Sequence, residues 1–96
     1  MKHHNFSAWV QIERRSLSLS VGELASLVGV KYQKLACLVR GAQPEEDLFY
    51  ALVRTFASMH AKNLRLSKSE EEIFFRNLRF DAIQKIMVDY VSLVAI

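Results

Sequence analysis

Proline occurs once, cysteine once and glycine three times in 96 residues. A single cysteine excludes an intramolecular disulfide framework and agrees with a reducing, cytoplasmic setting. Scarce Gly and Pro beside many Leu, Glu, Lys and Arg point to helices. Long hydrophobic runs are also missing. No stretch approaches the ~20 apolar residues of a transmembrane helix, and Met1–Phe6 does not open a signal peptide, so no membrane partner is expected. Charge of one sign is scarce too: 13 Lys+Arg stand against 10 Asp+Glu, a net +3 that names no partner by itself. The length admits one domain and leaves little room for an enzyme cleft. What the chain does have is a 51% hydrophobic content, which rules out a disordered tail.

The distribution of charge says more than its sum. Residues 1–41 carry six bases and two acids, a net +4, and residues 42–96 carry seven bases and eight acids, a net −1. Lys31–Arg40 holds three bases and no acid. Such a surface favours polyanions, above all nucleic acid, through phosphate contacts and counterion release. Ordinary solvated Lys and Arg are the alternative.

Phe6, Trp9, Val10 and Glu13 recur at helical spacing, so a first helix is expected over roughly 6–15, with Asn5 as its N-cap. Ser16–Leu19 reads as a connector. Ser20-Val21-Gly22-Glu23 fits a capping box, and the helix it opens is short because Gly29 follows. A third helix is expected over 31–40, ending at Gly41. Pro44 suits the first position of a fourth helix, with Glu45, Glu46 and Asp47 complementing its positive end and Leu48, Leu52, Val53, Phe56 and Met59 as its apolar stripe. Ser67-Lys68-Ser69-Glu70 is a second capping box. Asp81 either caps a last helix or bends a continuous one. The expectation is one all-α domain of five or six helices over 1–96. A helix-turn-helix core spans 6–60, helices 2 and 3 form the motif, and C-terminal helices over 67–96 form an extension.

Two short helices joined at Gly29 outline a helix-turn-helix. Ala25 falls where the helices cross. Leu24, Val28, Val30, Leu35 and Leu38 would pin the second helix, leaving Lys31, Tyr32, Gln33, Lys34, Ala36 and Cys37 outside. The stretch Leu19–Val30 resembles the start of the helix-turn-helix in the Cro and phage-repressor family of bacterial regulators, whose pattern reads L-[ST]-x-x-E-L-A-x-x-x-G-[VI]. Arg14-Arg15 resembles the arginine-bearing end of that family's first helix, and Gly41–Pro44 its turn into the fourth. Val21 and Lys31 depart from the pattern, which often has Gln and Ser or Thr there.

The resemblance implies that helix 3 enters the major groove of double-stranded DNA. Lys31, Tyr32, Gln33, Ala36 and Cys37 would then face bases, and Arg14, Arg15, Lys34, Arg40 and Gln43 would reach phosphates. Gln33 is the favoured base reader, since Gln pairs bidentately with adenine. Arg14 and Arg15 are equally well read as a helix-end pair favoured by the dipole. Cys37 reads as a small residue filling space against DNA, with a redox-sensitive thiol as the alternative. His3-His4 is expected to be a disordered tail and no metal site, and His60 a partly buried helix residue.

From Ile83 onward the chain is apolar on more than one side and needs a cover. Ile83, Ile86, Met87, Tyr90, Val91 and Val94 are the expected homodimer interface. A twofold dimer would set two recognition helices about 34 Å apart on a palindromic operator. The expected function is a sequence-specific transcriptional regulator of bacterial or phage origin, a repressor acting on the nucleoid by occluding promoters. No catalytic constellation, cofactor motif or small-molecule ligand is evident, so no enzyme is expected. The competing class is a helical protein-interaction module, an adaptor or inhibitor, that keeps the fold without touching DNA.

Overall fold

Five helices follow in order: α1 His4–Ser16, α2 Val21–Val28, α3 Tyr32–Val39, α4 Glu46–Leu64 and α5 Lys68–Val94. The computed structural model describes residues 3–94, with side chains described through Val91. Among the described residues there is no strand, and no helix is long and apolar enough to cross a membrane. The protein is an all-α bundle. α5 packs along both α4 and α1, while α2 and α3 form a unit that rests on α1 and α4.

The core forms where the apolar stripes of these helices converge. Phe6, Trp9 and Val10 from α1 meet Leu24, Leu35, Leu38, Leu52, Val53 and Phe56 from α2, α3 and α4. Trp9 stands edge-on to Phe56 at 5.6 Å between centroids, and its indole nitrogen donates to Asp81 Oδ2 at 3.1 Å. A buried Trp needs such a polar outlet for its N–H. From α5, Phe75 and Ala82 complete the core.

Both capping boxes form. Ser20 Oγ accepts from the Glu23 amide at 3.0 Å while Glu23 Oε1 accepts from the Ser20 amide at 3.0 Å. Ser67 and Glu70 repeat the exchange at 2.9 and 3.2 Å. These backbone and hydroxyl donors hold the Glu23 and Glu70 carboxyls below their ordinary value of 4.5. Gly29 closes α2 with φ 83°, a left-handed conformation that costs glycine little. α3 then restarts after two residues, which fixes its angle to α2.

The helix boundaries correct the sequence expectations in two places and decide between two alternatives in a third. α1 begins at His4, so Asn5 lies inside the helix and does not cap it. Pro44 precedes α4 and does not open it: Glu45 is the N-cap residue and Glu46 the first helical one. α5 runs unbroken for 27 residues, which removes a cap at Asp81 and leaves the continuous helix of the two alternatives. Asp81 sits in mid-helix, turned to Trp9 and to Lys85, whose Nζ lies 3.9 Å away.

The N-terminus is also no loose tail from His3 onward. His3 is 3% exposed, its amide donates to Gly41 O at 2.8 Å, and its ring stands edge-on to Tyr90. Beside it lies Asp89, equally buried. The Asp89 carboxylate accepts from the Asn5 amide at 2.9 Å, the Asn5 side chain at 3.0 Å and the Phe6 amide at 3.0 Å. α1 is therefore capped by an acid from the far end of α5, where a carboxylate also suits the positive helix end.

Candidate nucleic-acid interface

The α2–α3 unit presents the outer face of α3. Gln33, Cys37 and Arg40 lie at i, i+4 and i+7, all exposed, with Lys31, Tyr32 and Lys34 exposed beside them. Leu35 and Leu38 anchor the opposite face at 0% and 2% exposure. The unit is held rigid by the Ser20–Glu23 box, the left-handed Gly29 and paired backbone bonds from Gly29 and Val30 to Ala25 O. Tyr32 lies over the start of α2, its ring edge 3.9 Å from the space beside Gly22.

Ala36 does not belong to this face. It is 6% exposed, on the flank of α3 next to Leu35. Its carbonyl accepts from Arg40 Nε at 3.2 Å, which draws the Arg40 stem across it. A thymine methyl has no access to Ala36 in this arrangement.

The expected phosphate-contacting residues divide into free and engaged groups. Arg15 is exposed at the end of α1. Arg14 turns inward: Nη1 donates to Leu19 O at 2.6 Å and Nε to Gln11 Oε1 at 2.8 Å. It braces the α1–α2 connector through Nε and Nη1. Gln43 Nε2 donates to the Tyr90 hydroxyl at 2.9 Å, tying the loop after α3 to α5. Lys34 Nζ pairs with Glu45 Oε2 at 2.9 Å.

Glu45 was not anticipated as part of this surface. It stands eleven residues after Lys34, across a loop whose path the local pattern does not reveal. With Glu46 and Asp47 it places three acids at the start of α4, beside α3. A groove of about 260 Å³ separates the two, lined by Lys34, Cys37, Gln43, Glu45 and neighbouring apolar residues. The basic face is thus flanked by acid on its α4 side. Arg40, Lys31 and Arg15 have no acidic partner among the described residues.

Away from α3, His60 Nε2 and Glu13 Oε2 lie 2.7 Å apart and link α4 to α1, with the His60 ring against Phe74. Of the expected interface residues on α5, Ile83, Met87, Tyr90 and Val91 are exposed. Ile86 is not: it is half-buried against the core. The side chain of Val94 lies outside the described residues. No group of three His, Cys, Asp or Glu that could hold a metal occurs among the described residues.

No family model, curated protein or solved structure matches this chain.

Proposed function

We propose that this protein is a sequence-specific DNA-binding regulator that lays α3 in the major groove and represses transcription by occupying its operator as a dimer. One observation carries this reading: Gln33, Cys37 and Arg40 project from one exposed face of a short helix whose other face is pinned in the core. Lys31 and Tyr32 extend that face at the N-terminal end of the helix, the end that meets base edges in a helix-turn-helix docking. Gln33 would read adenine, Lys31 would donate to a base edge, and Arg40 and Arg15 would hold phosphates.

The test is selection of bound sequences from a random DNA pool with the purified protein. Enrichment of one motif in two inverted half-sites supports the reading. Recovery of no preferred sequence, with no retention above bare matrix, contradicts it.

The Lys34–Glu45 pair favours a second reading. A helical protein-interaction module, an adaptor or inhibitor, has no need of free cations, and here one cation of the α3 surface is neutralised. Salt-insensitive, sequence-blind behaviour toward DNA would make that reading the better one.

A further inference from the structure

α5 is apolar on both sides. Its inner side sets Phe75, Ala82 and Ile86 against the core, while its outer side leaves Ile73, Phe80, Ile83, Met87 and Val91 in solvent. Phe80 and Met87 are 64% and 60% exposed. The outer residues follow a register: Ile73, Phe80 and Met87 stand seven apart, and Ile83 and Tyr90 each follow three residues later. That is the a/d spacing of a helix that pairs with another helix, not of a solvated face. With Tyr90, the five apolar residues of the seam stand 39–64% exposed along one face of a single helix, a contiguous patch of the kind that marks an interaction surface.

We infer that this seam pairs with the same seam of a second copy, with the two α5 helices antiparallel. A heptad seam is filled best by another of the same spacing, because each knob needs a hole of matching rise. Arg76 sets the direction. It occupies the seam position between Ile73 and Phe80 and is exposed. A parallel pair would set this cation against its own equivalent, which is unfavourable. An antiparallel pair centred between Asp81 and Ala82 sets Arg76 beside Met87, Phe80 beside Ile83, and Ile73 beside Tyr90. The aliphatic stem of Arg76 then packs on Met87 while its head reaches water. The surface therefore runs along α5 from Ile73, and differs from the C-terminal cluster expected from sequence in using Ile73 and Phe80 and in leaving out Ile86.

The choice of a second copy as occupant rests on the dimeric regulator proposed above, so the test keeps oligomer and DNA apart. Size-exclusion chromatography with light scattering should give twice the 11.1 kDa chain mass at micromolar concentration. Phe80→Glu and Met87→Glu should each return it to one chain mass with helical circular dichroism unchanged. Ile12→Glu, an exposed apolar position on α1, should leave the dimer intact. In a Cys37→Ser background, Arg76→Cys combined with Met87→Cys should crosslink on oxidation, and Arg76→Cys alone should not. A monomeric parent, or a dimer that survives both glutamate variants, overturns the pairing. Crosslinking of the Arg76→Cys single variant overturns its direction. Binding of the same samples to DNA separates the two claims. A dimer blind to DNA leaves the seam standing and removes the regulator reading, whereas a DNA-binding monomer removes the seam and the dimeric operator and leaves DNA recognition by α3 standing.

Discussion

Asp89 Oδ2 accepts the backbone N–H of Phe6 at 3.0 Å, across 83 residues of sequence. The same carboxylate takes both the amide and the side chain of Asn5. The far end of α5 thus closes the start of α1, and both groups are buried. His3 fills the space beside them and bonds to Gly41, the residue that ends the α3 turn. One buried cluster therefore ties α1, α5 and the exit of the candidate recognition helix together.

Asp89→Ala should be among the most damaging single substitutions. It strands the buried Phe6 amide and the part-buried Asn5 amide, a loss of about 2–4 kcal/mol where charged hydrogen bonds go unmade. For a domain of this size that lowers the thermal midpoint by on the order of 10–25 °C. Thermal unfolding followed by circular dichroism measures it. An unchanged midpoint would mean that the Asp89 cluster does not hold the two helices together.

Glu45→Gln should strengthen DNA binding. The substitution releases Lys34 from its ion pair and removes one negative charge beside the DNA-facing surface. An exposed pair contributes little to stability, so the midpoint should move by less than about 1 kcal/mol equivalent. Affinity for DNA should rise several-fold, and its salt dependence should steepen by about one phosphate contact. Fluorescence anisotropy at two salt concentrations reads both. Weaker binding in the variant would place Lys34 away from the DNA.

Gln33→Ala and Arg40→Ala should differ in kind. Loss of the Gln33 amide should cost about 1–3 kcal/mol on the preferred sequence and relax preference at one base position. Loss of Arg40 should weaken binding to all sequences alike and reduce the salt slope by about 1. Competition assays on matched and mutated operators distinguish them. Equal effects from both would mean that the face of α3 positions the protein without reading sequence.

The two capping boxes predict an acid limb of stability. The Glu23 and Glu70 carboxyls are held below 4.5 by the Ser20 and Ser67 donors. A lowered folded-state value contributes stability that is fully present above 4.5 and is lost as pH falls through the lowered values. Glu23→Gln, which removes the titrating group, should therefore lower the unfolding midpoint at neutral pH and reduce its dependence on pH below 4.5. Urea titrations at pH 7 and pH 3 check this. A difference between variant and parent that is the same at both pH values would contradict the capping account.

How much of this was legible in the sequence follows from the range of each interaction. The capping boxes, Gly29 and the apolar stripe of α4 act within one or two helical turns, and the local pattern places them correctly. The surroundings of Ala36 and Arg14 do not follow from the periodicity of their own helices. Ala36 is covered on its flank, and Arg14 is drawn to Leu19 by the path of a connector. The Asp89 cap, the burial of His3 and the Gln43–Tyr90 bond join residues from distant parts of the chain, so no periodicity announces them. On α5 the difficulty was the opposite one. Apolar residues on two faces leave the inward side undetermined until α1 and α4 are in place, and that is why Ile86 falls on the core side.

The most direct test of the DNA-binding account is the affinity of the purified protein for duplex DNA between 50 and 200 mM salt. With phosphate contacts from Arg40 and Arg15, two in one protomer and four in a dimer, log affinity should fall linearly with log salt, a loss of roughly tenfold to a hundredfold across that range. No binding at 50 mM salt, or binding unmoved by salt, would contradict the account.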